Sequence, residues 1–86
     1  MNIGIKWNWT KLDVENKERR EKEVIEYLQG YTSPCHPGGN ISVILDEIPL
    51  GQEGRLNGIV LCECRTELVT IKVDNPMHLL EFKRLD

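Results

Sequence analysis

Long apolar runs are missing from this chain. No window approaches the roughly 18 consecutive apolar residues that a membrane span needs, and the opening MNIGIKWNW lacks the apolar core of a secretion signal. Aromatic residues are scarce, at 6% of 86 residues. In a chain so short, which buries only a little over roughly 60% of its unfolded surface, Trp7, Trp9, Tyr27, Tyr31 and Phe82 therefore carry much of the packing. A basic excess is also missing. The formal net charge is −3, with acids and bases well mixed, which argues against a partner dominated by phosphate. Three cysteines, an odd number without framework spacing, point to reduced thiols rather than a disulfide scaffold. These absences predict a small cytoplasmic domain, residues 1–86, without repeats or a linker.

The order of what is present is legible from periodicity. Ile3, Ile5, Trp7 and Trp9 alternate with Asn2, Gly4, Lys6 and Asn8, which predicts a half-buried strand over residues 2–8. Thr10 is placed to cap a following helix, with Asp13 in its first turn and Trp9 and Val14 spaced as a hydrophobic staple. The helix is predicted over 11–29, because good helix formers fill it and Gly30 follows. Its middle, from Glu15 to Glu23, has no apolar residue. The pairs Glu15–Arg19 and Glu18–Lys22 suit it to a solvated face, while Val24, Ile25, Leu28 and Tyr31 form the apolar stripe.

Residues 32–40 are rich in turn formers and predict a loop. Beyond it the pattern predicts four strands: 41–47, 55–64 around Gly58, 68–74, and 78–84 beginning near His78. The expected class is α+β, with an N-terminal strand and one long helix (1–30) followed by a four-stranded antiparallel SH3-like barrel or meander (40–86).

The second half resembles the SH3-like small β-barrel superfamily. The residues that carry the resemblance are Val43, Ile44, the glycine-bearing loop 49–54, Leu56, Ile59, Val69 to Val73, and the closing Phe82, Lys83, Arg84 and Leu85. Such barrels are mostly binding modules or accessory subunits. The resemblance thus implies recognition rather than catalysis.

No carboxylate pair, nucleotide fingerprint or zinc-protease helix is present, and Gly51-Gln52-Glu53-Gly54 lacks the Lys and Ser or Thr of a phosphate loop. The leading expectation is a non-catalytic protein-binding module (an adaptor, accessory subunit or inhibitor) without a cofactor, a monomer or an edge-strand homodimer. Its contact surface is expected on two loops, through Pro34, His36 and Pro37 and through Pro49, Leu50, Gln52 and Glu53. Cys35, His36, Cys62 and Cys64 supply an alternative, a zinc-stabilised domain. Against it, Cys35 and His36 are adjacent and one residue separates Cys62 from Cys64, whereas zinc knuckles usually leave about two to four between ligands. Adjacent side chains are not expected to converge, so Cys62 and Cys64 are assigned to packing on one face of a strand and Cys35 is given no role, with the inward face of that strand open because Gly58 can mark a bulge. A Cys35 nucleophile with His36 or His78 as base ranks lower still. A second alternative is nucleic-acid binding through Lys6, Trp7, Trp9 and Lys11. There the two tryptophans share the face of Ile3 and Ile5, which favours a core role.

Overall fold

A computed structural model describes residues 2–47 and 55–85. The elements run β1 (Ile3–Trp9), α1 (Val14–Leu28), β2 (Ile41–Glu47), β3 (Leu56–Cys62), β4 (Glu67–Val73) and β5 (Glu81–Arg84). All five strands form one sheet in the order β1-β2-β3-β4-β5. The helical crossover makes β1 parallel to β2, from Ile3 beside Ile41 to Trp7 beside Leu45. The other neighbours are antiparallel.

The class is α+β, and the second half is the expected antiparallel meander. It does not close into a barrel: among the described residues the sheet is open and mixed, with β1 and β5 at its edges. The physical reason lies in α1. Val24 and Leu28, both fully buried, lie against one sheet face in a cluster with Tyr31, Ile41, Val43, Leu45, Val60, Val69, Ile71 and Val73. A helix laid across a sheet supplies the apolar cover that a barrel obtains by curling on itself. Tyr27 stacks on Phe82 at 4.1 Å, and the Arg84 guanidinium lies 5.1 Å from the centre of the Tyr31 ring.

Several local expectations are corrected. Thr10 does not cap the helix. Asp13 does, accepting from the Asn16 amide at 2.8 Å, while Thr10 donates to the buried Glu47 carboxylate at 3.0 Å and accepts from the Leu12 amide. With the cap three residues later, Val14 falls in the first turn and is two-thirds exposed, so the Trp9–Val14 staple is absent. The charged middle of α1 is not wholly solvated either. Arg20 is only 2% exposed, and it bonds Glu23 at 2.9 Å, the His78 carbonyl at 2.8 Å and the Pro76 carbonyl at 3.1 Å. Glu23 in turn accepts from the Leu80 amide. His78 therefore belongs to the β4–β5 turn and does not begin a strand.

In β3, Gly58 stands opposite Leu45 and Ile71. A Cβ there would lie 2.6 Å from Leu45 Cδ2 and 3.2 Å from both the Ile44 carbonyl oxygen and Ile71 Cβ, so glycine lets the neighbouring strands pack closely without displacing them. The irregularity in the β3–β4 ladder falls two residues later, between Val60 and Leu61. It leaves Val60, Leu61 and Cys62 all buried.

Candidate metal centre

The end of β3 and the loop after α1 meet at one edge of the core. Cys62 is the last residue of β3, and a tight turn follows: the Cys62 amide donates to the Thr66 carbonyl at 2.9 Å, and the Arg65 amide to the Cys62 carbonyl at 2.8 Å. Arg65 takes the left-handed conformation, with φ 72°. The reversal brings Cys64 round toward the side on which Cys62 is buried. Opposite, the Ser33 hydroxyl accepts from the His36 amide at 3.3 Å, curling residues 33–36 into a compact turn. The rule that neighbouring side chains point to opposite faces applies to extended strands, not to such a turn. Cys35 and His36 consequently face the same partner.

The result is a four-donor cluster, contrary to the expectation from spacing. Cys35 Sγ lies 3.0 Å from Cys62 Sγ and 3.6 Å from Cys64 Sγ, and His36 Nδ1 lies 3.3 Å from Cys62 Sγ. One ligand atom from each of the four residues falls within 4.8 Å of all the others. Cys62 is buried, whereas Cys35, His36 and Cys64 are exposed. Zinc bonds of 2.3 Å to sulfur at tetrahedral angles place sulfurs about 3.8 Å apart. To meet that geometry Cys35 and Cys62, at 3.0 Å, must spread by about 0.8 Å, and Cys35 and Cys64, at 3.6 Å, by about 0.2 Å.

Two hydroxyls absent from the expected site tune it. Ser33, itself buried, donates to Cys62 Sγ at 3.3 Å, and Thr66 Oγ1 lies 3.1 Å from Cys64 Sγ. The Ser33 hydrogen bond, helped by the Cys64 backbone amide and opposed by burial, lowers the Cys62 pKa to about 6. The Cys64 thiol is lowered too, chiefly by the Thr66 hydroxyl. His36 is raised, chiefly by its hydrogen bond to Cys62. At Cys35 the Ser33 contact lowers the pKa, but Cys62, desolvation and Cys64 outweigh it and the thiol is raised. Ser33 carries a faint sequence signal, as a turn-forming serine two residues before a cysteine. Thr66 carries none, because only the hairpin reversal brings it to Cys64.

Other candidate residues are dispersed. Trp7 lies half-buried among the core residues, its indole donating to Glu21 at 2.7 Å, while Lys6, on the opposite face, is exposed. The register shift between Trp7 and Trp9 takes Trp9 out of the Ile3, Ile5 and Trp7 series, and the Lys11 amide is tied to Glu47. The proposed nucleic-acid set is therefore not one surface. Pro34 and Pro37 are exposed beside the cluster, whereas Pro49, Leu50, Gln52 and Glu53 lie outside the described residues. His36 contacts Cys62 rather than Cys35, and His78 is held in the β4–β5 turn.

Comparison of the chain with protein-family models, with curated proteins and with solved structures finds no match. What fold and site define is a class: a small α+β domain with a Cys3His cluster at the edge of its core. No helix among the described residues is long and apolar enough to cross a membrane.

Proposed function

We propose that the protein is a small non-catalytic domain whose Cys35, His36, Cys62 and Cys64 bind one zinc ion as a structural centre. The observation that carries this is the convergence of the four donors from segments more than twenty residues apart in sequence. Thiolates and imidazole together favour zinc among common divalent ions, and four protein donors fill its tetrahedral shell. With no position left open for water or substrate, the ion's role is to hold structure. It ties the loop after α1 to the β3–β4 turn, alongside the hydrogen bond from the Asn40 amide to the Glu63 carboxylate. The deciding experiment is native mass spectrometry of the reduced protein titrated with zinc. A single bound ion, lost in Cys62→Ser, supports the centre; a protein that stays bare in excess zinc removes it.

Recognition of a protein partner, in a cytoplasmic setting, is the wider role proposed for such a domain; it rests on the exposed surface rather than on the SH3-like resemblance of 40–86, since the sheet is open among the described residues. One observation favours it. Met77 and Leu79 are 86% and 78% exposed, on a turn that the buried Arg20 fixes from beneath. Ordering of Pro34 and Pro37 by the ion adds a second rigid loop to what a partner meets.

A further inference from the structure

Within the cluster the thiols are not equivalent. Cys35 is exposed and Cys62 is buried, and their sulfurs touch at 3.0 Å, closer than Cys35 comes to Cys64. That is about 1 Å longer than a disulfide bond. The two residues belong to different segments, 27 residues apart, so closing the gap moves a loop rather than distorting a strand. Cys64, by contrast, is 3.6 Å from Cys35, is engaged by Thr66, and stands two residues from Cys62.

We propose that Cys35 and Cys62 are a redox-modification site at which a peroxide forms an intramolecular disulfide and so ejects the zinc ion; the ejection, but not the bond, rests on the metal centre proposed above. The accessible Cys35 sulfur attacks one peroxide oxygen as a thiolate, the form that zinc binds and that buffer base generates from the thiol in the metal-free protein. The O–O bond breaks, an S–O bond forms, and hydroxide leaves with the electron pair, giving a sulfenic acid on Cys35. Cys62 thiolate then attacks the Cys35 sulfur. The S–S bond forms, the S–O bond breaks, and a second hydroxide leaves. Two thiolates have lost two electrons, peroxide has gained them, and two protons from water or buffer convert the hydroxides to water. The ion, left with His36 and Cys64 alone, dissociates. The new bond keeps the loop on the end of β3, so the fold survives loss of the metal, and Cys64 is left as the one free thiol.

The test treats the purified, reduced protein with hydrogen peroxide, both zinc-loaded and metal-free, and follows it by mass spectrometry, peptide mapping and a chromogenic zinc indicator. The expected result is loss of two hydrogens, a bridge mapping to Cys35 and Cys62, release of one zinc per bridge, and reversal of the bridge by a dithiol. Cys64→Ser still forms the bridge. Cys62→Ser stops at a sulfenic acid on Cys35 that dimedone traps. A bridge to Cys64, bridging only between molecules, or oxidation without a bridge overturns the proposal. Failure of the metal centre is seen separately: reduced protein that takes up no zinc sinks that reading, while metal-free protein still reports whether the bridge forms.

Discussion

Ser33 sets the protonation of Cys62 more than any of the other donors does, because its hydroxyl is the largest influence on that thiol. In metal-free, reduced protein the thiolate absorbance should show one group titrating near pH 6. Ser33→Ala should move that midpoint upward; an unchanged midpoint would show that the thiolate is stabilised by something else. The linked stability has a definite sign. A thiol with pKa about 6 when folded, against 9.0 as its ordinary value, binds fewer protons folded than unfolded between those limits. The folded state therefore gains stability as pH rises from about 6 to 9, and loses this contribution as pH falls toward 6. Urea midpoints of the reduced, metal-free protein across that range check the direction, with Ser33→Ala expected to flatten the slope.

Two elements are held by contacts that propensity does not reveal. Helix α1 anchors the β4–β5 turn through Arg20, whose guanidinium is paired with Glu23 and two backbone carbonyls. Replacing it with methionine keeps much of the volume but leaves Glu23 and both carbonyls without the guanidinium. We expect a loss of about 3 kcal/mol in urea denaturation, whereas the exposed Lys22, 3.9 Å from Glu26, should change stability by under about 1 kcal/mol when replaced by alanine. Strand β3 depends similarly on Gly58. Gly58→Ala should cost about 2 kcal/mol through overpacking against Leu45, and Leu45→Val, which removes the atom 2.6 Å from the new methyl, should recover part of that. Additive losses in the double variant would mean that the strands, not the Leu45 side chain, absorb the clash.

For the whole molecule, the zinc centre makes stability conditional on the ion. Free zinc at about one hundred times its Kd stabilises by about 2.7 kcal/mol, a Tm rise on the order of 10 °C for a domain of this size. Calorimetry with and without a chelator measures it, and an unchanged Tm would end the structural-metal account. The effect should vanish in Cys64→Ser if that thiol is a ligand. Both sheet edges are open among the described residues, and unpaired edge strands invite pairing with another chain. The subunit count in the same native spectra therefore decides between the monomer and the edge-strand dimer.

Sequence by itself determined the order of elements and most of the core. The alternation of Ile3, Ile5 and Trp7, the Val24–Leu28–Tyr31 stripe and the run Val69, Ile71, Val73 are local signals with periods of two or about 3.6 residues, and each element followed within three residues of its expected ends. Tertiary structure decided what those signals cannot hold. A mixed, open sheet in place of a barrel depended on where α1 lies. Burial of Arg20 depended on carbonyls more than fifty residues away. The cluster depended on two turns bringing Cys35 and His36 against Cys62 and Cys64. The donors themselves were legible as residue types, but spacing along the chain argued against them: on extended backbone, adjacent side chains such as Cys35 and His36 point to opposite faces and residues two apart, such as Cys62 and Cys64, stand about 7 Å from each other, and at both turns the backbone is not extended.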